Sequence, residues 1–312
     1  MTLQASKLSK RQGNRWIFRD VDLDLKAGEV FGIFGEIGSG KSQLLDVLSG
    51  RDRPDSGSIA GSNGDGSVTY INGQGQQSFF KRLFGASIDV ELPTRSISET
   101  LSNSQSRIAA IAEPFRGLGS TDRDEVCSAI RTAADSGRTV ILTSSDFDDI
   151  LESCDRVAVL TEGYVGQTGT PQEIYEAPAT VAVASIAGRN NLFNARRLTS
   201  SKSDIPEFVT LEGEHRLFAQ RQELAALGAL NQNVTLMIRP EQISISFGAS
   251  FPEDNLLKAK VAGVKPMGPT TRVELDCEGL RLEAMVLRLV GLNIGDECMV
   301  GLPPDRIRVL SR

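Results

Sequence analysis

Residues 35–42 constrain this chain more than any other segment, because they match the pattern G-x-x-x-x-G-K-[S/T] at every fixed position. At average composition such a match arises by chance in on the order of one chain in a hundred. The segment stands between a short apolar run, Val30–Phe34, and a stretch, Lys41–Leu48, that predicts a helix ending at Gly50. Because a strand, a glycine-rich loop and a helix in this order bind phosphate, we predict a nucleotide site here.

Each part of this loop has a predicted role in holding phosphate. Its glycines let the backbone curl so that successive N–H groups face phosphate oxygens, and the start of the helix adds the positive end of its dipole. Lys41 is predicted to reach the β- and γ-phosphates, and the Ser42 hydroxyl is predicted to bind Mg²⁺. The predicted nucleotide-binding residues are Gly35, Glu36, Ile37, Gly38, Ser39, Gly40, Lys41, Ser42 and Gln43.

Apolar runs alternate with helical segments through the first part of the chain. The alternation predicts an α/β domain with a parallel sheet covered on both faces. Near residues 189–191 the pattern changes to short strands separated by turns, which predicts a small all-β, OB-like barrel. We therefore predict two domains, 1–189 and 190–312. The predicted strands of the second domain are 234–238, 243–246, 257–264, 271–275, 280–284, 297–301 and 307–310.

Composition excludes several classes of function. The net charge of −6 and the pI of about 5.1 argue against nucleic-acid binding, which requires a basic surface. The four cysteines form no C-x-x-C pair, so we predict reduced thiols and no zinc site. No apolar run approaches the roughly 18 residues of a membrane span, and residues 1–16 lack the apolar core of a signal peptide. We therefore predict a cytoplasmic protein unless a partner tethers it to a membrane.

The residues around the loop resemble the nucleotide-binding domain of ABC transporters. The resemblance is carried by residues 28–34, the loop itself, Leu44 and Leu45, and residues 54–59. It continues in residues 113–114, 156–160 and 169–175. Residues 234–241 resemble the C-terminal, TOBE-like regulatory domain of importer ATPases. Residues 188–193 look more like the polyamine, iron and oxyanion importers than the maltose type.

This resemblance implies ATP and Mg²⁺ as cofactors, an ABC permease in the membrane and a second ATP-binding subunit in a dimer as partners, and no nucleic acid. The protein would then lie on the inner face of the cell membrane. Glu113 stands where the family has its general base. Gln74 is the candidate for the glutamine that binds Mg²⁺ and senses the permease. The alternative is that Gln74 is a solvated glutamine of the glutamine-rich run 74–77.

The chain also departs from the family pattern. Ala112 replaces the aspartate that holds Mg²⁺ through water, and Ser145 replaces the histidine that contacts the γ-phosphate. Gln12 stands in the place of the aromatic residue that stacks on adenine, with Trp16 as a possible substitute. Residues 116–119 lack the acidic residue of the D-loop. The helical subdomain expected after Gln74 is largely missing.

The family's LSGGQ motif has no clear counterpart. Residues 101–105, Leu-Ser-Asn-Ser-Gln, resemble a degenerate form of this motif. They lie too close to Glu113 for the helix that follows the motif in the family to fit between the two. Alignment by spacing places the motif near residues 88–92, where nothing matches. We therefore interpret the likeness of residues 101–105 as coincidence.

Two hypotheses follow from these residues. In the first, the chain is the energising subunit of an ABC importer and hydrolyses ATP. In the second, it is a pseudo-ATPase, a regulatory subunit that binds nucleotide with little hydrolysis and forms the degenerate half of a heterodimer. The β domain is either a regulatory or dimer-contact module that binds a small oxyanion, or a structural cap. The only histidine, His215, is predicted to be a solvated surface residue.

Overall fold

The apolar run Val30–Phe34 forms a strand that is buried at every position, β3, and it is an interior strand of a six-stranded sheet. The computed structural model describes residues 3–61, 68–73, 93–201, 205–247, 255–287 and 291–310. It divides into two units, Met1–Glu176 and Ala177–Arg312. The fold class predicted from the sequence, an α/β domain followed by an all-β domain, is confirmed.

The first unit contains nine strands and five helices among the described residues. The strands are β1 Leu3–Gln12, β2 Arg15–Leu25, β3 Val30–Phe34, β4 Ser56–Ala60, β5 Val68–Asn72, β6 Ile108–Ala112, β7 Thr139–Ser144, β8 Arg156–Thr161 and β9 Tyr164–Gly169. The helices are α1 Lys41–Leu48, α2 Pro93–Asn103, α3 Ser120–Asp135, α4 Phe147–Ser153 and α5 Pro171–Glu176.

The central sheet has the strand order β5-β6-β7-β3-β8-β9. All neighbouring strands pair in parallel except β8 and β9, which form an antiparallel hairpin. Strands β3, β6 and β7 are buried throughout, as expected for strands covered on both faces. Their carboxyl ends therefore meet at one edge of the sheet, where the loop from Gly35 begins.

A separate antiparallel sheet of order β2-β1-β4 belongs to the same unit. Its apolar residues join one core with strand β3 and helix α1, and that core includes Leu8, Phe18 and Leu25. This packing places β2 beside the glycine-rich loop. Within the described part of the chain, no helix is long and apolar enough to cross a membrane.

The described residues of the second unit form one α-helix and two antiparallel sheets of five strands. The sheet orders are β12-β11-β10-β13-β19 and β14-β18-β15-β16-β17. The elements are α6 Val181–Ile186, β10 Asn191–Leu198, β11 Glu207–Thr210, β12 Arg216–Phe218, β13 Asn233–Ile238, β14 Ser244–Ser246, β15 Asn255–Pro266, β16 Thr270–Cys277, β17 Leu280–Leu287, β18 Glu297–Leu302 and β19 Arg308–Leu310, with 3₁₀ turns at Pro240–Gln242 and Pro304–Arg306.

Helix α6 lies in the part of the chain that the sequence analysis assigned to the first domain. In the structure it belongs to the second unit, since its Ala184 packs with Met237 and Leu310. The buried Arg239 of the same unit donates hydrogen bonds to the carbonyl oxygens of Ala187 and Arg189, at 2.8 and 3.0 Å. These contacts join residues distant in sequence, which periodicity does not reveal.

The prediction for His215 is wrong. The residue is half-buried, and its Nε2 lies 2.6 Å from the carbonyl oxygen of Cys277. Its backbone N–H donates to Thr210 Oγ1 at 2.9 Å. The polar residues around His215 suggested that solvent surrounds its ring. The fold instead brings up a carbonyl oxygen from a residue 62 positions away, which the local sequence does not reveal.

Candidate functional site

The loop after β3 is shaped as a cradle that ends in a helix. Ser39 N–H donates to the Glu36 carbonyl at 3.1 Å, which closes a turn. Gly38 and Gly40 both have positive φ, +87° and +96°. Gly40 is the N-cap of α1 and offers no side-chain cap, so the N–H groups of the first helical turn keep their capacity to bind an anion.

Two glycines of the loop are required by close contacts. A Cβ atom at Gly35 would lie 2.6 Å from both Leu160 O and Ser39 Oγ. A Cβ atom at Gly40 would lie 2.7 Å from Ile17 Cγ2. The loop is therefore held between β2 and β8, and no larger residue fits at either position without displacing a neighbour.

Ser39 gives an independent sign that the loop accommodates a polar ligand. Its Oγ is buried and has no hydrogen-bond partner among the described residues. A buried hydroxyl without a partner costs free energy in the folded protein, so such atoms need an explanation. A phosphate oxygen is a suitable acceptor for this hydroxyl, and the residues of the loop fit a nucleotide phosphate.

Lys41 is the charged group of the site and is almost fully buried, with a side chain 6 % exposed. Its Nζ donates to the Glu36 carbonyl at 3.3 Å and lies 3.2 Å from Glu113 Oε1. The structure thus brings together the motif lysine and the residue that resemblance assigns as general base, which are 72 positions apart in sequence.

Glu113 follows β6 in a left-handed backbone conformation, with φ of +49°. Its N–H lies 3.1 Å from both the carbonyl oxygen and the Oγ1 of Thr143, on the neighbouring strand β7. Its Oε1 accepts a hydrogen bond of 3.1 Å from the Ser145 hydroxyl. Ser145, at the position of the family's switch histidine, therefore contacts Glu113.

The strand ends around Glu113 are braced by a second polar cluster. Ser144 Oγ donates to Asp149 Oδ2 at 2.5 Å and accepts from the Asp146 N–H at 3.0 Å. Asp149 also accepts from Arg123 of α3, and burial raises the pKa of the Asp149 carboxyl. Because Ser144 and Asp146 flank Ser145, this cluster fixes the turn that carries it.

The other predicted residues lie on the surface of the loop or outside the described part. Glu36, Ile37, Ser42 and Gln43 are exposed, and Ser42 lies in the first turn of α1. The candidate metal ligand Gln74 is not among the described residues. Ala112 is buried in the core at the end of β6.

The structure gives two further observations on the departures from the family pattern. Gln12 is exposed, and the guanidinium of Arg11 lies 3.7 Å from the ring centroid of Trp16. Helix α2 ends at Asn103, within residues 101–105, and only residues 106 and 107 separate that segment from β6. No helix stands between this segment and Glu113, in keeping with its interpretation as coincidental. The segment expected to hold the helical subdomain falls mainly on residues 74–92, outside the described residues.

Three features of the site were not predicted from the sequence. They are the buried Ser39 hydroxyl without a partner in the described part of the chain, the contacts of Thr143 with the Glu113 N–H, and the hydrogen bonds of Asp149 with Ser144 and Arg123. The signal for Thr143 was present, because polar residues at the carboxyl ends of parallel strands gather at one edge. No local signal identified Asp149, whose side-chain partners Ser144 and Arg123 lie on two other elements. Among the described residues, no group of three or more His, Cys, Asp or Glu side chains is placed to hold a metal ion.

Comparisons with known proteins agree with this geometry. Residues 18–125, which include the loop and Glu113, match the family described as ABC transporter. Residues 236–310 match the family described as TOBE domain.

Two curated relatives span most of the chain. The sulfate/thiosulfate import ATP-binding protein CysA of Bacillus cereus is 26 % identical over 367 aligned residues, covering 99 % of this chain and 98 % of that protein. The spermidine/putrescine import ATP-binding protein PotA of Fusobacterium nucleatum is 27 % identical over 278 residues, covering 74 % and 72 %. A solved ATP-binding subunit of an ABC transporter is 18 % identical with a TM-score of 0.42, covering 56 % of this chain and 92 % of that one.

Proposed function

We propose that this chain, an importer-type ABC ATPase with a C-terminal TOBE domain, is the ATP-binding subunit of an importer. In this function it couples the binding and hydrolysis of ATP to solute transport by a permease. The observation that carries the proposal is the complete phosphate loop, whose buried Lys41 contacts Glu113 at the carboxyl edge of the sheet. The import ATP-binding names of the relatives support the same role.

The residues of the site divide the work between binding and chemistry. The N–H groups at the start of α1 and the ammonium of Lys41 neutralise phosphate charge, which accounts for most of phosphoryl-transfer catalysis. Glu113 would accept a proton from an attacking water, and Ser145, which donates a hydrogen bond to its carboxylate, would orient it. When bound, Mg²⁺ supplies further charge neutralisation. The exposed Ser42 hydroxyl would hold it, with Gln74 as the other candidate ligand.

A second function, a pseudo-ATPase that binds nucleotide with little turnover, is favoured by two positions. Ala112 offers no carboxylate to order the water around Mg²⁺, and Ser145 contacts Glu113 where the resemblance implies a histidine on the γ-phosphate. Losing one preorganised contact of this kind costs on the order of 10²–10³ in rate. Under this second function the binding residues of the loop are unaffected.

The proposed partners follow from the first function. They are membrane permease subunits and a second ATP-binding subunit, identical or different, and the chain would lie on the inner face of the membrane through the permease. The TOBE domain would serve as a regulatory or dimer-contact module. The proposed domains are 1–189 and 190–312, with helix α6 packing among residues of the second.

Titration with a fluorescent ATP analogue tests the proposed function. We expect Lys41→Ala to weaken binding by about 10- to 100-fold, the worth of a hydrogen bond to a charged group. Lys258→Ala, which removes an exposed lysine of the second unit, is the matched control and should leave the affinity unchanged. Circular dichroism reports whether both variants fold. Unchanged affinity in folded Lys41→Ala would overturn the assignment of the site.

A further inference from the structure

The Lys41 ammonium has two internal acceptors, and one of them carries a full negative charge. The Glu36 carbonyl lies 3.3 Å from Nζ and the Glu113 carboxylate lies 3.2 Å from it. The lysine and glutamate side chains are only 6 % and 13 % exposed, so water screens their attraction poorly. Any anion that uses Lys41 therefore competes with a nearby carboxylate that belongs to the protein.

Glu113 is held near Lys41 by contacts of both its backbone and its carboxylate. Its backbone is fixed to β7 by the two contacts of its N–H with Thr143, and the Ser145 hydroxyl donates to the same Oε1 atom that faces Lys41. Ser145 is itself held, because Ser144 and Asp146 on either side are hydrogen-bonded to each other. One oxygen of Glu113 is thus shared between a serine donor and the lysine of the phosphate loop.

We propose that Ser145 is a positioning residue that holds the Glu113 carboxylate on Lys41, so that this carboxylate competes with the phosphates of a nucleoside di- or triphosphate and lowers their affinity. The inference rests on the proposed function, since it concerns the same site. Phosphate and carboxylate both bear negative charge, and both would bind the buried ammonium of Lys41. Binding of nucleotide would bring a phosphate to the same ammonium, beside the Glu113 carboxylate.

The competition has a defined sign. Glu113→Gln removes the competing charge while keeping the size of the side chain, so it should tighten nucleotide binding by about 10-fold or more. Ser145→Ala removes one hydrogen bond that anchors the carboxylate and should tighten binding by about 2- to 5-fold. Because Ser145 acts through Glu113, the double variant should bind like Glu113→Gln alone.

Calorimetric titration with ADP is the test. ADP is already the product of hydrolysis, so a block in turnover cannot imitate tighter binding. The set comprises the unmodified chain, both single variants, the double variant, and Ser185→Ala as control. Ser185 is exposed and its hydroxyl bonds only the Val181 carbonyl of its own helix, so its removal should leave ADP affinity unchanged. Circular dichroism checks folding, and Glu113→Asp, which draws the carboxylate back from Lys41, replaces Glu113→Gln if that variant does not fold.

Each outcome has one interpretation. Tighter ADP binding in both single variants without further gain in the double variant supports the inference. Unchanged or weaker ADP binding in folded Glu113→Gln overturns it, and so does an independent, additive effect of Ser145→Ala. If neither the unmodified chain nor any variant binds ADP, the nucleotide site itself fails and the proposed function falls with it.

Discussion

Gly38 and Gly40 share a left-handed backbone but differ in their surroundings. A Cβ atom at Gly38 meets nothing within 4 Å, whereas one at Gly40 would lie 2.7 Å from Ile17 Cγ2. We expect Gly38→Ala to lower the free energy of unfolding by about 1–2 kcal/mol from backbone strain alone. Gly40→Ala should cost about 1–3 kcal/mol more because of overpacking. Urea denaturation measures both, and equal losses would contradict the contact with Ile17.

The cysteines differ in their accessibility to reagents. Burial raises the pKa of both Cys154 and Cys277 to about 12, and Cys298 is also buried. At pH 8 only on the order of 10⁻⁴ of a thiol with such a pKa is ionised. We expect the folded protein to react with a thiol reagent first at the half-buried Cys127, and Cys127→Ser to abolish this phase. Rapid reaction of all four thiols without denaturant would contradict the burial.

At the scale of elements, two positions that depart from the family pattern lie at or just beyond the adjacent ends of β6 and β7. Ala112 pairs with Thr143 in the sheet, and Ser145 follows two residues later. We expect slow phosphate release by the unmodified chain and a gain of about 10-fold or more in the variant Ala112→Asp with Ser145→His, which rebuilds a metal-ordering carboxylate and a phosphate contact. Adding Glu113→Gln should cancel the gain.

Two results would contradict this expectation about turnover. Brisk hydrolysis by the unmodified chain would show that Ala112 and Ser145 do not limit the chemistry. No gain in the folded double variant would place the limit elsewhere in the chain. Nucleotide affinity measured in parallel separates a change in binding from a change in rate.

Asp149 ties helices α3 and α4 to strand β7 through Arg123 and Ser144. We expect Asp149→Ala to lower the free energy of unfolding by about 2–3 kcal/mol. This loss is smaller than the loss from breaking a fully buried ion pair, because Arg123 is partly exposed to solvent. Asp148→Ala removes the exposed neighbouring carboxylate and is the matched control. A similar loss in both variants would contradict the specific role of Asp149.

The same carboxyl predicts a pH dependence. Burial raises its pKa in the folded protein, so the folded state holds a proton at pH values where the unfolded chain, with an Asp pKa of about 4, has lost it. The contribution of Asp149 to stability is therefore largest below pH 4 and falls as the pH rises through the folded pKa. Asp149→Asn should flatten the curve of unfolding free energy against pH in this range. An unchanged curve would contradict the raised pKa.

The sequence predicted the elements whose apolar pattern is regular and missed those whose pattern is broken. Strand β3 and helix α1 have the predicted bounds. Strand β1 was not predicted. Lys7 has a left-handed backbone there, and the pairing with β2 shifts register between Ala5 and Leu8. These irregularities interrupt the alternation of apolar and polar residues by which a strand is identified.

The candidate site shows the same division. The loop and Lys41 follow from a contiguous motif, and Glu113 follows from resemblance. The contacts among Lys41, Glu113 and Ser145 depend on the order of strands β3, β6 and β7 in the sheet, which connects residues far apart in sequence. Local patterns carry no information on these distances, so the contact between Lys41 and Glu113 became visible only in the fold.

At the scale of the whole molecule, the second unit has a hydrophobic core of its own. Among the described residues, this core has 24 buried members between Phe193 and Val309, all of them in the second unit. A core of this size within about 136 residues is enough for an independent domain. The phosphate loop lies in the other unit, so the binding of nucleotide and the stability of the second unit are expected to be separable.

We therefore expect residues 177–312, produced alone, to fold and to unfold cooperatively in urea. ATP at 100 times its dissociation constant should raise the free energy of unfolding of the first unit in the full chain by about 2.7 kcal/mol, because it binds the folded state only. The fragment should show no change with ATP, and Lys41→Ala in the full chain should lose the effect. Stabilisation of the fragment by ATP would place a nucleotide site in the second unit. An unfolded fragment would mean that its core depends on the first unit.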